Sequence, residues 1–209
     1  MHARLYGLYV ITDADCLPPA RLIDAVEAAL AGGARLVQYR DKTGDRAARL
    51  QQARALVALC RRYDAPLIVN DDVSLARESG ADGVHLGRDD AGIGAARERL
   101  GARALIGASC YDDWTRARAA ADAGADYVAF GSFFESGTKP GAVRADLDLL
   151  RRAKQQLNCP VAAIGGITPD NGAGLVAAGA AMLAVVRGVF AAPDIGAAAA
   201  RYAVLFPER

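Results

Sequence analysis

AGGARLVQYRDK, residues 31–42, contains the unit from which the chain is built. Gly33 reads as a helix stop, Ala34 follows it, and the apolar run RLVQY (35–39) leads out through Arg40, Asp41 and Lys42. The same Gly-Ala junction recurs at Gly80, Gly124 and Gly179, in steps of 47, 44 and 55 positions, each time between a helical pattern and an apolar run. Glycine is the common residue where a helix ends in a left-handed turn. Working outward, the strand candidates are LYVIT (8–12), RLVQY (35–39), PLIVN (66–70), GVHLG (83–87), ALIGAS (104–109), YVAFG (127–131), VAAIG (161–165) and LAVV (183–186). Between them, Leu22, Val26 and Ala29 mark one buried helix face, and Ala53, Leu56, Val57 and Cys60 another. Trp114, Ala117, Ala121 and Gly124 follow the same spacing, as do Leu147, Leu150, Ala153 and Leu157. Each interval between Gly-Ala junctions holds two strand-helix units, so the chain resembles four tandem βαβα quarters.

Strands that alternate with helices imply a parallel sheet. Eight such units close most naturally into a (β/α)8 TIM barrel, here one domain over residues 1–209. An open doubly wound sheet is the alternative, but no G-x-G-x-x-G follows the first strand. The length suits one domain, and 53% hydrophobic with 23% charged residues is the composition of a soluble globular protein. A net charge of +1 gives no global field for nucleic acid or a membrane surface, so anion recognition must be local. No apolar run is long enough for a membrane span. The start, MHARLYGLYVITD, lacks the pattern of a signal peptide. Cys16, Cys60, Cys110 and Cys159 are scattered without metal-ligand spacing and read as reduced thiols, so a cytoplasmic protein is expected.

Barrel enzymes carry their active sites at the C-terminal ends of the strands. Side chains alternate along a strand, which puts Gln38, Arg40 and Lys42 on the face toward the barrel mouth and Val37 and Tyr39 toward the helices. Two cations and an amide there suit a diphosphate. Asp71 and Asp90 follow the neighbouring third and fourth strands and offer carboxylates to Mg²⁺, an ion that takes few protein ligands. The alternative is that Asp71 or Asp72 caps the next helix. Gly165 and Gly166, with Thr168-Pro169 as cap and first residue of a helix, would bring backbone N–H groups to an anion. Arg187 could add charge there. In GSFFESGTKPG (131–141), Ser136 and Thr138 offer hydroxyls, Gly137 an unusual turn and Lys139 a charge, although a surface turn explains the glycines and proline equally well. His85, inside an apolar strand, reads as a hydrogen-bonded core histidine and not a general base. No histidine follows Cys110 to activate it as a nucleophile.

The ordered segments LYVIT, VQYRDK, IVNDD, DGVHLGRDD, IGAS, DYVAFG with TKPGA, and VAAIGGIT resemble the thiamine phosphate synthase family along almost the whole chain. The resemblance implies an alkyl transferase that joins 4-amino-2-methyl-5-hydroxymethylpyrimidine diphosphate to 4-methyl-5-hydroxyethylthiazole phosphate, releasing diphosphate and thiamine monophosphate. It implies that the pyrimidine diphosphate lies on segment 38–42 (Gln38, Tyr39, Arg40, Asp41, Lys42), Asn70, Ser109 and Lys139. It implies Mg²⁺ on Asp71 and Asp90, and the thiazole phosphate on Ser136, Gly137, Thr138, Gly166, Val186 and Arg187. Lys139, Arg40 and Lys42 would carry catalysis, and a small barrel of this kind implies a homo-oligomer. The chain departs from the family pattern at Arg88, where glutamine is frequent, at Ser132 for proline, at Ser136 for threonine and at Arg187 for serine. A thiazole tautomerase is the nearest rival, but ASCYDD lacks the histidine that family uses after its strand-five serine. A non-catalytic phosphate-binding barrel is the rival from another class.

Overall fold

The computed structural model describes residues 4–135 and 145–207. Its strands are β1 (Gly7–Ile11), β2 (Ala34–Tyr39), β3 (Leu67–Asn70), β4 (Gly83–Leu86), β5 (Leu105–Tyr111), β6 (Tyr127–Phe130), β7 (Val161–Ile164) and β8 (Met182–Val185). The helices among the described residues are α1 (Leu22–Ala31), α2 (Arg46–Arg62), α3 (Val73–Ser79), α4 (Ile93–Leu100), α5 (Trp114–Asp122), α6 (Leu147–Gln156), α7 (Pro169–Ala178), α8 (Arg187–Phe190) and α9 (Ile195–Ala203). The strands pair in parallel in sequence order, and β8 pairs with β1 to close the barrel. The expected TIM barrel is the fold of the chain, and the open sheet is excluded by that closure.

Strand alternation sorts the core into two shells. Leu8, Val10, Val37 and Tyr39 point outward and pack beneath the helices. Tyr9, Ile11, Leu36, Ile68, Leu105, Tyr127, Ala129, Ala162, Met182 and Ala184 fill the lumen. Small residues on β6 to β8 leave room for the two tyrosine rings, which meet edge to face at 5.9 Å. Gly107 on β5 makes the closest accommodation: a Cβ there would sit 2.1 Å from the Tyr127 ring. The expected helix stops are in place too, since Gly33, Gly80, Gly124 and Gly179 all have positive φ.

At the N-terminal end of the barrel the repeat acquires a polar function. Asp82, beyond the Gly80 junction, accepts a hydrogen bond from the Leu67 amide at 2.9 Å. Asp126, beyond Gly124, accepts from the Ile106 amide at 2.8 Å and from Arg97 at 2.6 Å. Arg97 also donates to the carbonyl of Ala104. Each aspartate thus ties the start of an even strand to the start of the odd strand before it, which leaves the opposite end free for chemistry.

Candidate active site

The ends of β1 and β2 form one polar unit. The Thr12 hydroxyl accepts from the Arg40 amide at 2.9 Å and donates to the Arg40 carbonyl at 3.2 Å. Arg40 Nη1 stands 3.3 Å from Oδ2 of the buried Asp13. Gln38 turns into the lumen and Tyr39 turns out, where its hydroxyl donates to Gln52 of α2 at 2.8 Å. Only the backbone of Tyr39 is therefore available to a ligand in the mouth. The Asp41 carboxylate accepts from the amides of Thr43 and Gly44 and from the Thr43 hydroxyl, so it shapes its own loop. Those bonds hold its carboxyl below the usual range against the opposing effect of burial.

Lys42 reaches across to β3, with Nζ 3.7 Å from Asp71 Oδ2. The two neighbouring aspartates divide the alternatives between them. Asp72 caps α3 by accepting from the Leu75 amide at 2.8 Å and also pairs with Arg46 and Arg49. Asp71 has φ 62°, donates its amide to the His85 carbonyl at 2.8 Å, and brings its carboxylate within hydrogen-bonding reach of Asp90. Burial, then the hydrogen bond and charge of Asp90, raise the Asp71 carboxyl above the usual range, while Lys42 and Asn70 oppose the shift. Asp90 itself is tied to the Gly87 amide at 2.6 Å. Among the described residues no cluster of three or more His, Cys, Asp or Glu side chains stands at metal-binding distance. The Asp71–Asp90 pair is a two-carboxylate arrangement.

A bulge in β5 shifts the register between Ser109 and Tyr111, and Tyr111 has φ 55°. Strand alternation turns Ser109 inward and Cys110 outward, and the shift falls just beyond Ser109. Cys110 is fully buried, and burial pushes its thiol up to about 12, which makes it a poor nucleophile. Ser109 hydrogen-bonds to His85 Nε2 at 2.9 Å, and His85 Nδ1 meets the Tyr127 hydroxyl at 3.0 Å. His85 is thus a hydrogen-bonded core histidine. Arg88 stacks over the exposed Tyr111 ring at 4.9 Å, a contact available to arginine and not to glutamine.

The loop after β7 approaches the loop after β6 so closely that a Cβ on Gly166 would meet the Glu135 carbonyl oxygen at 2.2 Å. Thr168 caps α7 and Pro169 opens it, with the Thr168 amide bound to Asn171 Oδ1 at 2.8 Å. Val186 and Arg187 follow β8, and Arg187 opens the short α8 with its side chain exposed. Ser136, Gly137, Thr138 and Lys139 lie outside the described residues. The sequence reading missed Thr12 and Asp13, which follow the first strand and hold Arg40. It also missed Tyr9 and Tyr127 as polar groups, because both sit inside apolar runs.

The chain matches the family model described as Thiamine monophosphate synthase over residues 8–189. It is 58% identical to a thiamine-phosphate synthase of Thiobacillus denitrificans across 96% of this chain and 94% of that protein. It is 56% identical to the thiamine-phosphate synthase of an Azoarcus species across 99% of this chain and all of the other. The chain belongs to this family. Among solved structures it resembles the thiamine phosphate pyrophosphorylase of Pyrococcus furiosus, with a TM-score of 0.88 and 35% identity over 97% of this chain and 96% of that one. A 3-hexulose-6-phosphate synthase with a TM-score of 0.70 and 19% identity shares the barrel alone. As a member of this family the chain is an enzyme, a transferase.

Proposed function

We propose that this chain joins 4-amino-2-methyl-5-hydroxymethylpyrimidine diphosphate to 4-methyl-5-hydroxyethylthiazole phosphate, giving thiamine monophosphate and diphosphate. The observation that carries the reading is Lys42 Nζ 3.7 Å from Asp71 Oδ2, beside Arg40, at a carboxyl that Asp90 also influences. Two carboxylates near enough to influence each other are costly without a cation, and their hard oxygen donors suit Mg²⁺, which takes its other ligands from water and phosphate oxygens. Bound there, Mg²⁺ would neutralise charge on the diphosphate.

The residues divide the work. Arg40 and Lys42, with Lys139 from the loop after β6, bind the diphosphate and stabilise the charge that grows as it departs. Gln38, Asn70 and Ser109, together with the backbone of residues 39–41, orient the pyrimidine substrate. The backbone of Gly166, the start of α8 at Val186 and Arg187, and the hydroxyls of Ser136 and Thr138 hold the thiazole phosphate. Bond breaking is dissociative: the carbon–oxygen bond to diphosphate breaks first, the aminopyrimidine stabilises the methylene cation, and the thiazole nitrogen then forms the new bond. No covalent nucleophile is required, in keeping with the buried Cys110. Catalysis is by positioning and exclusion of water.

Incubation with both substrates and Mg²⁺ tests the reading. Thiamine monophosphate and diphosphate are expected in equal amounts. Tight binding of the thiazole phosphate with no product at saturating substrates would overturn it in favour of a non-catalytic barrel.

A further inference from the structure

A chain of buried hydrogen bonds crosses the barrel lumen from the end of β2 to the end of β5. Gln38 Nε2 donates to the Tyr9 hydroxyl at 2.5 Å. Tyr9 meets the Tyr127 hydroxyl at 2.8 Å, Tyr127 meets His85 Nδ1 at 3.0 Å, and His85 Nε2 meets Ser109 at 2.9 Å. Tyr9 is 1% exposed and Tyr127 fully buried, so neither hydroxyl proton has water as an alternative partner.

The first bond fixes the direction of all the others. With Nε2 of Gln38 turned to Tyr9, Tyr9 accepts from the amide and its own proton goes to Tyr127. The opposite order would give Tyr9 two donors and leave its proton buried without a partner, at a cost of about 1–3 kcal/mol. Tyr127, having accepted, donates to Nδ1 of His85. The ring must then carry its proton on Nε2, which donates to Ser109 Oγ. The hydroxyl proton of Ser109 remains, and the mouth is the direction left for it.

We propose that Tyr9, Tyr127 and His85 are positioning residues that compel Ser109 to act as a hydrogen-bond donor toward the barrel mouth, where it binds an oxygen of the diphosphate. The inference rests on the proposed placement of the pyrimidine diphosphate, and it adds a reason for the serine's polarity. It also couples Gln38 to Ser109 through the lumen, so that two groups on opposite sides of one ligand share one hydrogen-bond sense.

Nitrogen NMR of the imidazole in the full chain reads the tautomer directly, with His2 the only other histidine. Protonated Nε2 with bare Nδ1 is expected, and the reverse tautomer overturns the proposal whether or not the enzyme turns over. A kinetic cycle reads the consequence. Tyr127→Phe keeps the ring and breaks the chain, and should lower kcat/KM for the pyrimidine diphosphate roughly tenfold, the value of one donor to a charged group, with KM for the thiazole phosphate unchanged. In a Ser109→Ala background the same substitution should cost nothing further. Equal losses in both backgrounds, or a rise in the thiazole phosphate KM, would mark Tyr127 as merely structural and sink the proposal. An inactive wild type with the expected tautomer would instead count against the proposed reaction, while the hydrogen-bond sense of the lumen chain would stand.

Discussion

Asp13 holds Arg40 from behind: its buried carboxylate lies 3.3 Å from the guanidinium Nη1, and the preceding residue, Thr12, grips the Arg40 backbone on both sides. An arginine aimed by a fixed carboxylate loses less side-chain freedom when it meets an anion. Asp13→Asn keeps the shape and removes the charge. The pyrimidine diphosphate KM should rise roughly tenfold with a smaller change in kcat, in line with the loss of one charge-assisted bond. Steady-state kinetics with each substrate varied in turn will show it, and an unchanged KM would remove Asp13 from the site.

Asp90→Ala should reduce turnover strongly and raise the Mg²⁺ concentration needed for half-maximal rate. The variant leaves Asp71 without its carboxylate neighbour, so the Asp71 carboxyl should also return toward its ordinary range. Rates at limiting Mg²⁺ equal to those of the unmodified enzyme would end the metal assignment.

Gly107→Ala should destabilise the barrel by about 1–3 kcal/mol, the usual cost of overpacking a core, because the added methyl meets the Tyr127 ring. A lower midpoint in urea with an unchanged slope is the expected result. Unchanged stability would mean that the lumen is looser than its geometry implies.

Stability should fall on acidification as His85 resists protonation. Burial lowers its pKa from 6.5 to about 4 in the fold, with Asp90 opposing the shift. An unfolded chain takes up a proton below about 6.5 and the folded one does not, so the folded state loses ground as the pH drops from there toward 4. The full effect is on the order of 3 kcal/mol. Thermal melts between those pH values should show the slope, and His85→Gln should flatten it. A profile identical in the variant would refute the assignment.

Strand positions were legible because each apolar run is bounded by a glycine stop on one side and polar residues on the other. LAVV was placed one residue late and ALIGAS ended two residues short of Tyr111, since the β5 bulge resumes pairing at Tyr111 opposite Phe130. The face alternation of VQYRDK was legible too, and it put Gln38 inward and Tyr39 outward. What stayed hidden depends on partners far apart in the chain. Tyr9 and Tyr127 meet across 118 positions, and a tyrosine inside LYVIT or YVAFG is indistinguishable from apolar filling until the strand opposite is known. Asp13 escaped notice for the same reason, because its partner comes from the next strand.

The packed lumen has a kinetic corollary. With Tyr9, Tyr127, Leu36, Ile68 and Met182 blocking the axis, the barrel offers no rear exit, and everything that enters at the strand ends must leave by them. In the proposed reaction, two substrates and two products would share that one doorway. Release of one product and entry of the next substrate would then compete for the same opening.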